Sequence, residues 1–368
     1  MASLKNHLIR ELAEIVSLTD DSNEWNDPCT TLFLLSGKEP FYNVRRMVEN
    51  EVISVSPEEE DVVLEYRECF IWPELLKTLM LKWARKLSIT AHEDWLRKYH
   101  REGFLKVLCE NKDIKELSVD GSIISNWAEV FKMFPKLVSL HLTPVQFDQM
   151  VLNAPNALAG LEEIGFNFGI TKEGGLAEAC VALSTHHTKY PSLKVVRFED
   201  LELVEVHYPD ASVITAVPSV KHLKVAANHE YSSFDISFLT TLQKLFPTLE
   251  TFVMDVEAEL YEEDLGLDEL EQFYQAFQSL TVGFSIQINC REEFTCFETD
   301  GTELREFLAT KGTVTEDADT FIVKTCLPGK ELTREVKINC FNAEEFSDEA
   351  DYYNYEDYDD DDSDSESF

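Results

Sequence analysis

The sequence predicts an α/β fold, an irregular leucine-rich-repeat solenoid with a helical N-terminal cap and a short β hairpin at its C-terminal end. Three observations predict it. A phrase of the form apolar-x-x-apolar-x-apolar occurs six times, at Ile114/Leu117/Val119, Leu137/Leu140/Leu142, Leu161/Ile164/Phe166, Leu193/Val196/Phe198, Val220/Leu223/Val225 and Leu249/Phe252/Met254. Four copies share a proline lead-in: Phe134-Pro135, Tyr190-Pro191, Val217-Pro218 and Phe246-Pro247. The copies start 23, 24, 32, 27 and 29 residues apart, room for a strand, a helix and two turns. Self-similarity at such a period marks a repeat array.

Within each copy the second and third apolar positions are two residues apart, so both point to one side of a short strand. The first position turns the chain into that strand and plugs the same core. No copy can bury its apolar side alone, so neighbours must stack. The asparagine usual in regular leucine-rich repeats is missing, which makes these repeats irregular.

The elements follow in order. Residues 3–18 read as an amphipathic helix with Leu4, Leu8, Leu12, Ile15 and Val16 on one face and Ser3 as its cap. A polar turn at 19–30 and a charged one at 57–61 enclose a helix around Val44–Val48. A second helix is predicted over 72–87, opening on Trp72-Pro73, with Leu75, Leu76, Leu79, Trp83 and Leu87 inward; proline suits a first helical turn. Residues 92–109 continue helical and complete a cap over 1–109. The repeats occupy 110–290, with helices near 124–133, 145–153, 174–187, 234–245 and 266–279. Val282–Cys290 alternates like a further strand. In 291–343, a short helix at 302–310 precedes two strands, 321–326 and 335–341, about Leu327-Pro328-Gly329-Lys330, a terminal hairpin. Residues 344–368 hold 13 acids and no lysine or arginine and are expected to be disordered.

Composition narrows the function. With 70 acidic and 32 basic residues the formal charge is −38, which argues against direct nucleic-acid binding, because phosphate recognition needs a basic face. The eight cysteines form no C-x-x-C pair, the pattern of a reduced protein in cytoplasm or nucleus. No run approaches the length of a membrane span. Gly174-Gly175 reads as a helix-entry turn and His186-His187 as a solvated helix end, with no partner at metal-ligand spacing. No catalytic residues, no metal and no cofactor are expected.

The strand positions between the core leucines face outward and read Ser118, His141, Gly165, Arg197, Lys224 and Val253. Three of them, His141, Arg197 and Lys224, make a basic row in an acidic protein, a candidate concave site for an acidic peptide or for the chain's own tail. The tail has three readings: a solvated charge run, a contact for a basic partner such as histones, and a phosphorylation segment, with Ser363 three residues before Glu366.

The N-terminal hundred residues carry a resemblance. Ser3-Leu4, Leu8 and Leu12 are similar to an elongin-binding box of the von Hippel–Lindau type, and Phe70-Ile71-Trp72-Pro73-Glu74-Leu75-Leu76 resembles the cullin-binding box that follows it. Phe104, Lys106 and Cys109, leading to Glu116-Leu117 and Gly121, resemble the entry to the leucine-rich repeats of the zyg-eleven/Zer-one family, without its armadillo-like part. Those proteins are substrate receptors of elongin-linked cullin–RING ubiquitin ligases. The resemblance implies a non-catalytic receptor in which Leu4, Leu8 and Leu12 meet an elongin-type adaptor. Trp72, Pro73, Leu75 and Leu76 would meet the cullin, and a target protein would bind the repeats near His141, Arg197 and Lys224. Trp72-Pro73-Glu74-Leu75-Leu76 also resembles an F-box opening, which implies the same role through another adaptor. The alternative is an acidic leucine-rich-repeat scaffold or chaperone that binds a basic, histone-like protein.

Overall fold

The computed structural model describes residues 37–57, 62–66, 69–71, 74–91, 103–121, 127–153, 158–168, 175–203, 215–229, 234–261, 266–296, 301–317 and 320–340. The expected helix over 3–18, with Leu4, Leu8 and Leu12, lies outside the described residues, as do Trp72, Pro73 and the acidic tail. Leu75 and Leu76 are in a described helix, but their side chains are not described.

One 14-stranded sheet runs through the molecule. Its strands are β1 (Val52–Pro57), β2 (Val62–Tyr66), β3 (Cys69–Ile71), β4 (Lys86–Ala91), β5 (Glu116–Gly121), β6 (Ser139–Leu142), β7 (Glu163–Asn167), β8 (Val195–Glu202), β9 (His222–His229), β10 (Thr251–Tyr261), β11 (Ser285–Cys296), β12 (Thr313–Asp317), β13 (Thr320–Leu327) and β14 (Lys330–Cys340). From β4 to β11 each strand lies parallel beside its predecessor. The parallel run is extended by β1 on one side and β14 on the other. Antiparallel strands finish both edges, β2 and β3 at one and β13 and β12 at the other.

The described α-helices are α1 (Lys38–Asn50), α2 (Glu74–Trp83), α3 (Gly103–Glu110), α4 (Trp127–Met133), α5 (Pro144–Asn153), α6 (Leu176–Thr185), α7 (Phe238–Leu245), α8 (Leu267–Ser279) and α9 (Thr302–Ala309). A sheet that grows in one direction through crossovers of one hand collects its helices on one face. The core lies between that face and the helices. There Leu117, Leu140, Ile164, Val196, Leu223, Phe252 and Ile286 are buried, each worth roughly 1.5–3 kcal/mol as area removed from water. Rings from the two layers meet, as in Phe147 of α5 against Phe166 of β7 at 5.3 Å and Phe238 of α7 against Phe252 of β10 at 6.2 Å.

The proline lead-ins build the entrance to the strands. The residue before each proline accepts a turn hydrogen bond from the first apolar residue: Leu137 N–H to Phe134, Leu193 to Tyr190, Val220 to Val217, Leu249 to Phe246. Proline presets the second position of such a turn. From β4 to β9 one carbonyl beside each strand start then takes two amides from the next strand, as Lys194 takes those of Lys221 and His222, and Lys221 those of Glu250 and Thr251. Successive strands are thus held at one level.

The fold class expected from the sequence is overturned. Instead of a leucine-rich-repeat solenoid with a helical cap and a closing hairpin, the chain forms an α/β structure on one mostly parallel sheet. The segment expected to be a helical cap contributes β1 to β4 to that sheet, with α1 before β1 and α2 between β3 and β4. The predicted helix over 72–87 ends at Trp83, and Leu87 lies on β4. At the other end β13 and β14 do form a hairpin, but β14 runs 11 residues in parallel beside β11. It continues the sheet rather than closing it. The strands also lengthen along the chain, to 11 residues in β10 and 12 in β11, beyond what a six-residue phrase specifies.

Candidate partner-binding face

The sheet face opposite the helices carries the alternate residue of every strand. The outward residues Ser118, His141, Gly165, Arg197, Lys224 and Val253 are direct lateral neighbours in the strand pairing. His141 lies over Gly165, and a Cβ on that residue would collide with the imidazole. The missing side chain lets His141 on β6 and Arg197 on β8 converge on the same carboxylates.

The two cations do not stand free. His141 Nδ1 lies 3.3 Å from Glu199 Oε2, and its Nε2 lies 3.6 Å from Glu163 Oε1. Arg197 also pairs with Glu163. Burial of His141, whose side chain is 7% exposed, opposes its charge, but the hydrogen bonds to Glu163 and Glu199 outweigh this and raise its pKa to about 9. Burial likewise works against the two carboxylates, yet His141 and Arg197 hold both below the usual range. Of the predicted basic row only Lys224 is exposed with no ion pair among the described residues. An acidic peptide therefore finds little uncompensated charge there.

Ser139 Oγ lies 3.3 Å from His141 Nε2, so Ser139, His141 and Glu199 are connected like a serine–histidine–acid relay. The chemistry does not follow. An imidazole with a pKa near 9 is protonated at neutral pH and cannot take the serine proton. The Ser139 amide is committed to the Lys115 carbonyl and the serine is buried within a strand, unlike the exposed turn a nucleophile needs. Sequence reasoning missed this cluster, because Glu163 and Glu199 become neighbours of His141 only through strand register.

A second feature was also missed. Toward the carboxyl ends of β8 to β11 and β14 the open face encloses a groove of about 830 Å³. Glu202, Asn228, Glu257, Arg291 and Glu335 form one lateral row across it, and Glu259, Glu293 and Lys337 lie in the next. Arg291 sits 3.6 Å from Glu257 and Lys337 3.2 Å from Glu293. The exposed Glu202, Glu259 and Glu335 have no ion pair among the described residues. Among the described residues no three His, Cys, Asp or Glu side chains converge closely enough to hold a metal ion.

Beneath the groove, on the helix side, Arg334 of β14 meets Glu292 of β11 at 2.5 Å. Arg334 is 1% exposed, and its guanidinium lies 5.2 Å from the Phe273 ring and 5.8 Å from Tyr274 of α8. Burial alone would lower the arginine's pKa; the Glu292 charge outweighs it and raises it. The pair ties β14 to β11 across one diagonal of their eleven-residue ladder.

No helix among the described residues is long and apolar enough to cross a membrane. The chain matches no protein-family model and no curated protein sequence.

Proposed function

We propose that the protein is a non-catalytic binding scaffold whose open sheet face holds a basic segment of another protein. The acidic groove carries this reading, with five exposed glutamates from β8, β10, β11 and β14 against Arg291 and Lys337. Strands in a sheet are about 4.8 Å apart, so the row from Glu202 to Glu335 offers carboxylates over a span of about 19 Å. An extended segment of about six residues covers that distance. Such a surface attracts its partner through long-range charge and binds in a salt-dependent way.

The test is fluorescence anisotropy with a short labelled lysine/arginine peptide, on the full chain and on a chain ending at residue 343. The truncation matters because the acidic tail attracts basic peptides by itself. Binding to the shortened chain should persist, and Glu257→Lys/Glu259→Lys/Glu293→Lys should weaken it at least about tenfold, which is about 1.4 kcal/mol. Equal binding by the reversed variant, or none by the shortened chain, removes the groove from the reading.

The ligase-receptor reading is a compatible proposal, since a substrate receptor is itself a scaffold. It is supported by the resemblance of the segments around Leu4, Leu8, Leu12 and Trp72–Leu76, and by α2 beginning directly after Trp72-Pro73. A pull-down for elongin and cullin with Leu4→Ala/Leu8→Ala/Leu12→Ala tests it. Retention of both partners by that variant would count against it.

A further inference from the structure

On the helical side, far from any carboxylate row, α5 and α6 leave a groove of about 460 Å³ between them. Its walls hold Val145, Leu152 and Val181, which are 36%, 74% and 37% exposed. Those are three of the seven large apolar side chains exposed among the described residues, and they share this one groove. The cause is local. Ala177 and Ala182 on α6 are too small to fill the space opposite α5. On α5, Val145, Asp148 and Leu152 follow one another at i, i+3 and i+7, a single stripe along the helix.

The geometry points to this groove as a docking site for an amphipathic helix of a partner protein, with an apolar stripe flanked by lysine or arginine. Both walls are helices whose backbone groups are already paired within them, so an extended peptide has no edge to join. A third helix can lay its ridge between them. The rim supplies the charge argument. Asp148 stands on one wall and Glu178 on the other, both exposed, and His186 lies 3.9 Å from Asp148 at one end. A stripe bordered by cations matches those carboxylates, and one bordered by acids is repelled.

The experiment uses the full chain and a labelled synthetic peptide with leucines at helical spacing and lysines along both borders, beside a twin of identical composition with the leucines scrambled off that spacing, so that the acidic tail and the acidic groove attract both equally. Anisotropy should show the helically spaced peptide binding at least about tenfold more tightly than its twin. Leu152→Ser/Val181→Ser should weaken it by a similar factor with the circular dichroism unchanged. Asp148→Lys/Glu178→Lys should remove most of the preference between the twins. Glu257→Lys/Glu293→Lys, in the acidic groove of the sheet, should weaken both peptides alike and leave the preference between them unchanged. Unaltered binding by Leu152→Ser/Val181→Ser, or loss of the preference between the twins in the Glu257/Glu293 variant, overturns the site. So does a concentration-dependent dimer that Leu152→Ser abolishes, since a second copy of the chain would then be the occupant.

Discussion

His141 sits where an outward strand residue would ordinarily be solvated, and its surroundings give it a measurable signature. Its pKa rises from 6.5 to about 9 on folding. The stabilisation from the charged form is therefore complete below about pH 6.5 and is lost as pH rises through about 9. That difference corresponds to roughly 3 kcal/mol. Urea unfolding of the wild type and of His141→Gln, compared across this range, should converge as pH rises; parallel curves would refute the assignment. Gly165 gives a steric prediction at the same place. Gly165→Ala drives a methyl into the imidazole and should cost about 1–3 kcal/mol, with the loss relieved in a His141→Ala background. The outward row is legible in the sequence, because period two alone places Ser118, His141, Gly165, Arg197, Lys224 and Val253 on one side. What neutralises it is not legible, since Glu163 and Glu199 reach His141 only through pairing between strands far apart in the chain.

Among the elements, β14 carries a buried ion pair to its neighbour in the sheet. Arg334 and Glu292 lock it to β11 beneath aromatic rings of α8. Removing Arg334 leaves the Glu292 carboxyl buried without its counter-charge, where burial already raises its pKa, so Arg334→Met should cost about 3–5 kcal/mol. Replacing both, as Arg334→Met/Glu292→Leu, should recover most of that loss. Chemical denaturation of the three chains checks it; a double variant as weak as the single one would show that the pair is itself a net source of stability. The same scale explains what the sequence hid. The expected helical cap missed β1 and β2 because Val52–Pro57 and Val62–Tyr66 are short apolar runs without the recurring triplet. Leu87 shares helical spacing with Leu76, Leu79 and Trp83, but Lys86-Leu87-Ser88-Ile89 alternates with period two and pairs with β1 and β5. The triplets mark where strands begin. They carry no information on where strands end, and the acidic groove is formed by the long strand ends.

For the whole molecule the dominant quantity is the charge of −38, of which residues 344–368 hold 13 acids. Self-repulsion of that size destabilises any compact state, while exposed pairs such as Lys221–Glu250 and Lys194–Glu162 contribute at most about 1 kcal/mol each. Raising ionic strength from about 0.01 to about 0.15 M shortens the screening length from about 30 to about 8 Å. Repulsion acts over the longer distances and is screened first, so the thermal midpoint should rise with salt. Removing residues 344–368 should shrink that rise, because the remaining chain starts from about −25. Binding of a basic peptide in the groove should move the opposite way and weaken as salt increases. The two responses have one origin and opposite signs, so calorimetry and anisotropy over the same salt series test the charge argument together. A midpoint that falls with salt would mean that specific ion pairs, not the net field, dominate the stability of this chain.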